Sequence, residues 1–271
     1  MKIFILNSSG NVGKSLLARE LFYPRLEDAL ILEIETVNSG SAKFPNLNID
    51  KFRATDDFSE IYMRILGTEN VIVDVGASNL SAFWEAISEF AGVGDLFDIF
   101  VVPSRSTEKI QTDTYKTIDF LRSEGINDER IKVIFNDVKK SVDSEFEMIL
   151  NAPFPFDTSL YIRSNVSLYN DLGFLRKTIS DIYTPDIESY KSKILLEKEP
   201  KEKLALVKAD LANRQAQKIK GQMDSVFEGV TGSTPIWIGE STLVEEKPLK
   251  AKPAGKKKDE ESPVNIDDEE L

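Results

Sequence analysis

The chain of 271 residues contains no cysteine and no histidine. Without cysteine it can form no disulfide and offers no thiolate metal ligand. Without histidine it has no imidazole general base, no His-containing catalytic triad and no His-ligated zinc. Carboxylates and lysine are therefore left as the catalytic groups.

Long hydrophobic runs are also missing. No apolar stretch approaches the roughly 20 residues that a membrane-spanning helix needs. The first residues, MKIFILN, pass directly into a strand pattern and are too short for a signal peptide. We therefore expect a cytoplasmic protein.

Positive charge is in deficit, because 34 lysines and arginines face 46 acidic residues, for a net charge of −12. Proteins that bind duplex DNA directly are more often basic, since phosphate neutralisation supplies most of the non-specific affinity. We expect weak direct binding to non-specific DNA, with contact made through a partner or a local patch. The candidate basic contacts, for which scattered solubilising charge is the simpler explanation, are Lys139, Lys140, Arg163, Arg176 and Lys177.

The hydrophobic fraction of 41% is sufficient for a real core. Short apolar runs alternate with amphipathic stretches over residues 1–190, which predicts parallel strands covered by helices on both faces. The fold class expected is therefore α/β, with a doubly wound, mainly parallel sheet. The predicted strands are residues 2–6, 29–34, 70–75, 96–103 and 131–136, and the predicted helices are 14–22, 57–66, 81–91, 107–123 and 142–150.

The composition changes after about residue 190. Residues 191–228 form a charged segment in which Leu204, Val207 and Leu211 make a narrow apolar stripe, which predicts an exposed helical extension. Residues 229–271 are charged and of low complexity, typical of a flexible tail. Within that tail Trp237 lies between two isoleucines, so it either anchors a partner or docks on its own domain.

A phosphate-binding pattern follows the first predicted strand. The signature G-x-x-x-x-G-K-[ST] is matched by SSGNVGKS, with Ser8 replacing the first glycine. An ordinary strand–turn–helix connection has no specific need for Lys14 and Ser15. Lys14 supplies a positive charge and Ser15 a ligand for Mg²⁺. The expected nucleotide contacts of this loop are Gly10, Asn11, Val12, Gly13, Lys14, Ser15 and Leu16.

Polar residues at the ends of other strands complete the pattern. Asp74 ends an apolar strand and is expected to hold Mg²⁺, while Gly76 allows the backbone to approach a terminal phosphate. Glu33 and Glu35 alternate along one strand and so share a face, and Glu35 is the better candidate to position an attacking water. Asn136 ends a later strand, where it either contacts adenine or forms a turn. The candidate catalytic residues are therefore Lys14, Glu35 and Glu33.

These four motifs, in this order, resemble the ParA/MinD family of P-loop ATPases, and ILNSSGNVGKS with EIETVNSG is most similar to StbB-like plasmid stability proteins. SLYNDLGFLRKTI also resembles a late stretch of the family domain, and the resemblance covers about residues 1–190. It implies ATP and Mg²⁺ as ligands, a homodimer on ATP binding, and a role in plasmid or chromosome partitioning.

Two departures from the family pattern bear on activity. The signature lysine of the family, which reaches the nucleotide of the partner subunit, is replaced by Ser9. The paired aspartates are replaced by Glu33 and Glu35, which predicts slow hydrolysis.

The resulting expectation is a Mg²⁺-dependent, weak ATPase whose nucleotide state switches its interaction with a DNA-binding adaptor protein. Two alternatives stay open. One is a small-molecule kinase or ligase of the same fold, such as a biotin-pathway enzyme. The other is a scaffold that binds ATP without hydrolysing it.

Overall fold

The computed structural model describes residues 1–35, 44–53, 58–90, 92–186 and 188–237. At its centre is a seven-stranded sheet in the order β3-β2-β4-β1-β5-β6-β7. Every neighbouring pair of strands is parallel. The strands are β1 Lys2–Ile5, β2 Leu30–Ile34, β3 Ile49–Phe52, β4 Val71–Val75, β5 Ile99–Ser104, β6 Ile131–Val138 and β7 Tyr161–Arg163.

This topology confirms the predicted α/β, doubly wound, parallel fold. The five predicted strands are present with small shifts at their ends. β3 and β7, which were not predicted, are the two edge strands. Each is short and only partly buried, so its apolar pattern is too weak to read locally.

Both faces of the sheet are covered, because successive side chains of a strand point to opposite faces. Phe4 packs on one face with residues of the central helices such as Phe83 and Ile118. Ile3 and Ile5 pack on the other face with Leu17 and Phe227. Two separate apolar cores, one on each side, therefore hold the sheet.

The helices largely match the amphipathic stretches of the sequence. The predicted helix 14–22 begins as a short α-helix and continues as a π-helix over Leu17–Phe22, and the predicted helix 142–150 is two short helices. No helix within the described residues is both long and apolar enough to cross a membrane. The α-helices are α1 Lys14–Leu16, α2 Phe58–Gly67, α3 Leu80–Ser88, α4 Glu108–Ser123, α5 Val142–Glu145, α6 Glu147–Leu150, α7 Val166–Leu175, α8 Ile179–Ile182, α9 Glu188–Leu196 and α10 Pro200–Thr231.

α10 differs from the exposed extension expected over residues 191–228. Its first half is exposed, including Leu204 and Leu211 of the predicted stripe, but its second half packs on the sheet. The apolar face that packs lies further along the helix than the predicted stripe, and it is completed by the α1 and π-helical segment and by β7. The buried apolar residues of this half are Ala216, Ile219, Met223, Val226, Phe227 and Val230.

Trp237 docks on its own domain rather than projecting from it. Its ring lies edge-on to Tyr183, with centroids 5.8 Å apart, and beneath the guanidinium of Arg25 at 4.8 Å. Arg25 is itself buried and bonded to Asp224 of α10 at 2.8 Å, so Trp237 closes a packed cluster. The rest of the predicted flexible tail, residues 238–271, lies outside the described residues.

Candidate functional site

A cavity of about 570 Å³ opens at the carboxyl ends of β1, β2 and β4, where ligands bind in open α/β sheets. It brings together all of the predicted loop residues with Glu35, Asp74 and Gly76. Glu33 and Asn136 do not line it. Its lining is Gly10, Asn11, Val12, Gly13, Lys14, Ser15, Leu16, Arg19, Glu35, Asp74, Gly76, Ala77, Ser78 and Asn79.

The loop between β1 and α1 has a backbone that few residues adopt. Gly13 has a φ of 101°, and a Cβ at this position would lie 2.1 Å from the side-chain nitrogen of Asn136. Asn11 has a φ of 56°, a conformation that asparagine tolerates better than most residues. Glycine at position 13 is therefore required by backbone shape.

The start of the loop is held by buried polar contacts. The Asn7 amide donates to the Pro103 carbonyl at 2.8 Å and accepts from the Ser9 N–H at 2.7 Å. The Ser9 hydroxyl donates to Asp113 of α4 at 2.7 Å. Ser9, which replaces the signature lysine, is thus buried and turned toward its own domain.

Lys14 is buried in the loop, and its ammonium donates to the carbonyls of Asn7 at 3.3 Å and Ser9 at 3.1 Å. Burial lowers the pKa of Lys14, while the carboxylates of Asp74 and Glu35 raise it in opposition. The charge therefore lies in a poorly hydrated cavity, where it attracts an anion more strongly than it would in water.

Asp74 and Ser15 both line the cavity, beside Lys14. Burial raises the pKa of Asp74 to about 6, while the hydrogen bond from Ser15 and the charge of Lys14 lower it and the charges of Glu33 and Glu35 raise it further. A nearby cation would therefore stabilise the charged form of this buried carboxylate.

Glu33 lies in β2 and Glu35 directly follows the strand, and the two side chains occupy different environments. Glu33 is opposite Asp74 in β4 and Lys51 in β3, and the Lys51 ammonium lies 3.2 Å from its carboxylate. Glu35 lies two residues further along and lines the cavity. One buried oxygen of Glu35 has no hydrogen-bond partner among the described residues. Of the two, only Glu35 therefore faces the cavity.

Gly76 joins the ends of β2 and β4. Its N–H donates to the Ile34 carbonyl at 3.0 Å, and an added Cβ would lie 3.0 Å from Asn79 and 3.4 Å from the same carbonyl. Ile34, which directly precedes Glu35, and Gly76, two residues after Asp74, are consequently in contact at the cavity edge.

Asn136 lies on the other side of the loop. Its amide donates to the Val12 carbonyl at 2.9 Å, and its oxygen accepts from the Asp137 N–H at 2.9 Å. It also lines a second cavity of about 220 Å³, with Arg105 and Tyr169. One donor and one acceptor position of the amide are used, and one of each is left for a ligand.

The residues present fit a magnesium ion held with a nucleotide. Mg²⁺ is commonly bound by one or two protein oxygens together with substrate phosphates, rather than by an all-protein cage. Ser15 and Asp74 supply such a pair, and no cluster of three or more acidic side chains that could hold a metal occurs in the part of the chain that the structure describes.

Sequence reasoning missed three contributors. Arg19 lines the cavity, and its place four residues after Ser15 on the helix was a signal that could have revealed it. Asn79 lines it from the turn after β4. Asp113 orients the loop through Ser9, but it lies more than 100 residues away and no local pattern indicates the contact.

No protein-family model and no curated protein sequence match this chain. Among solved structures, it is similar to MinD cell division protein of Aquifex aeolicus, with 17% identity, a TM-score of 0.46, and coverage of 79% of this chain and 96% of that one. It is similar to a plasmid partition protein of Borrelia burgdorferi B31 bound to AMPPNP, with 15% identity, a TM-score of 0.45, and coverage of 77% and 97%. A third is the McdA–ATP complex of Cyanothece, with 13% identity, a TM-score of 0.41, and coverage of 82% and 96%.

Proposed function

We propose that this protein is a Mg²⁺-dependent ATP-binding switch with weak ATPase activity, which serves plasmid or chromosome partitioning in the manner of StbB-like proteins. One observation carries the proposal. A single cavity gathers the Gly13-Lys14-Ser15 loop with the carboxylates of Asp74 and Glu35.

In this proposal each residue has a separate task. Lys14 leaves its two carbonyl partners to bind the terminal phosphates and stabilise charge that develops there. Ser15 and Asp74 hold Mg²⁺, which when bound supplies further positive charge at the phosphates. Glu35 positions the attacking water and accepts its proton, while Glu33 pairs with Lys51.

The switch itself is proposed to lie in the two connections at the cavity edge. The hydrogen bond from the Gly76 N–H to the Ile34 carbonyl joins the strand ends next to Asp74 and Glu35, so ordering of one strand end by a terminal phosphate reaches the other. A homodimer formed on ATP binding and a DNA-binding adaptor are the partners we propose. The similar Borrelia protein is described as a plasmid partition protein, and the Aquifex MinD protein was also solved in complex with MinC.

Nucleotide binding is tested by the Lys14→Ala variant. Removing a buried charge that faces the phosphates is expected to weaken ATP affinity at least about tenfold, or about 1.4 kcal/mol, in calorimetric titration with Mg²⁺. Lys191→Ala, which removes an exposed lysine paired with Glu188 outside the cavity, is the control and should bind ATP normally. Unchanged affinity for Lys14→Ala would rule out the phosphate-binding role of the loop.

Hydrolysis is tested separately, because the inward-facing Ser9 and the glutamates leave a non-hydrolysing scaffold as the second candidate. Glu35→Gln is expected to keep ATP affinity and to lower phosphate release about 100-fold, the scale of a general base. Glu33→Gln should have a smaller effect, because Glu33 does not line the cavity. If the wild-type protein binds ATP but releases no phosphate, the result would favour the scaffold.

A further inference from the structure

Arg19 is a second cation in the cavity that contains Lys14. The charged side chains among the cavity-lining residues are those of Lys14 and Arg19, and of the acids Glu35 and Asp74. These two positive and two negative charges balance. A Mg²⁺–triphosphate complex would add a net negative charge of about two, which a second cation helps to neutralise.

The helix directs Arg19 toward the cavity. It lies four residues after Ser15, within the π-helical segment Leu17–Phe22, where residues four to five apart share a face. Its guanidinium carbon lies 4.3 Å from the centroid of the Phe44 ring, which holds the side chain in one orientation. Arg19 is thus partly ordered before any ligand arrives.

The guanidinium of Arg19 makes only weak polar interactions with the described residues. Its buried Nε has no hydrogen-bond partner among the described residues, and its ion pair with Glu20 spans 4.0 Å. The other carboxylate oxygen of Glu20 accepts from the Ile179 N–H at 2.9 Å, and burial raises the pKa of Glu20 to about 7. At neutral pH Glu20 is therefore only partly ionised and leaves Arg19 available to an anion.

We propose that Arg19 binds the phosphates of a nucleoside triphosphate within the same subunit, beside Lys14. This inference rests on the proposed nucleotide site. It assigns the second phosphate-binding cation to the helix, since Ser9 is turned toward Asp113 and supplies no charge. Because Arg19 also contacts Phe44, bound phosphate would be linked to the chain that follows the residue 36–43 segment.

The test compares Arg19→Gln, Arg19→Lys and Arg214→Gln by displacement of a fluorescent ATP analogue with ATP and with AMP. Arg19→Gln is expected to weaken ATP binding about tenfold and AMP binding much less, since AMP lacks the outer phosphates. Arg19→Lys keeps the charge but not the planar fork, so it should recover part of the affinity. Arg214→Gln removes an arginine paired with Asp210 outside the cavity and should bind both nucleotides normally.

Each result has a definite meaning. Normal ATP affinity in Arg19→Gln, or equal losses for ATP and AMP, would overturn the inference. If Arg19→Gln melts early without ligand, Arg19→Lys decides, because it retains a cation over Phe44. In that case the inference requires that Arg19→Lys binds ATP more weakly than the wild type and binds AMP normally. If Lys14→Ala also binds ATP normally, the nucleotide site itself fails. If only Lys14→Ala is impaired, the assignment of Arg19 alone fails.

Discussion

At the scale of single residues, the site depends on charges held where water is scarce. The pKa of Asp74, about 6, mainly reflects the cost of burying its negative charge, and the charges of Lys14, Glu33 and Glu35 also act on it. Only the hydrogen bond from Ser15 and the charge of Lys14 offset that cost. The apo site therefore sacrifices some stability to keep a metal-binding carboxylate in place.

The raised pKa of Asp74 gives a pH prediction with a definite sign. The folded protein holds the Asp74 proton more tightly than the unfolded chain, so stability falls as pH rises from 3.8 to about 6 and stays lower above it. At pH 7.5 the Asp74→Asn variant should therefore melt at a higher temperature than the wild type, with a free energy of unfolding larger by on the order of 2 kcal/mol. At pH 4 the two proteins should have nearly equal stability.

The same variant separates stability from function. Asp74→Asn should lose Mg²⁺-dependent enhancement of ATP binding at every pH, whereas the wild type should lose it as pH falls through about 6. Melting curves at the two pH values, and calorimetric titrations with and without Mg²⁺, provide the measurements. A variant that melts lower than the wild type at pH 7.5 would contradict this account of Asp74.

At the scale of elements, α10 is part of the domain rather than an appendage. Its second half covers the face of the sheet that also carries the phosphate-loop helix, and Phe227 lies 6.2 Å, centroid to centroid, from Phe22 of the π-helix. Arg25 links the same two elements through Asp224. Without α10, that face of the sheet would be exposed to water.

Shortening the chain tests this role. Truncation after Glu197 is expected to abolish the cooperative melt, while truncation after Trp237 should leave melting temperature and ATP affinity nearly intact. Phe227→Ala should cost about 3–5 kcal/mol of unfolding free energy, because it opens a cavity in a packed core. Leu211→Ala, on the exposed half of the same helix, should cost less than about 0.5 kcal/mol. A stable protein ending at Glu197 would contradict this assignment.

At the scale of the whole molecule, charge sets the expected partners. With a net charge of −12, long-range electrostatics oppose approach to DNA. Lys139, Lys140 and Arg163 do come together, since the Arg163 guanidinium donates to the Lys140 carbonyl at 2.6 Å and all three side chains are exposed. Three cations are few against this overall charge.

We therefore predict that non-specific duplex DNA binds weakly, with a Kd above about 100 µM at physiological salt. Fluorescence anisotropy with a labelled duplex at two salt concentrations measures it. Micromolar binding with a steep salt dependence, lost when Lys139, Lys140 and Arg163 are neutralised together, would show that this patch overrides the overall charge.

Much of the fold followed from local patterns in the sequence. The five longer strands and the helices between them were readable, because strand and helix periodicities are properties of short segments. The loop residues, Asp74 and Glu35 could be placed at one cavity, because parallel strands bring their carboxyl ends to the same edge of the sheet.

Tertiary structure decided what depends on contacts between distant segments. Lys51 of an unpredicted edge strand pairs with Glu33 and leaves Glu35 at the cavity. Asp113 turns Ser9 inward, and the face of α10 that packs is determined by the neighbours it meets on the sheet. Trp237 is buried because Tyr183 and Arg25 lie where it docks. Sequence periodicity does not predict such partners, because it is a property of short segments and these contacts join residues that are distant in sequence.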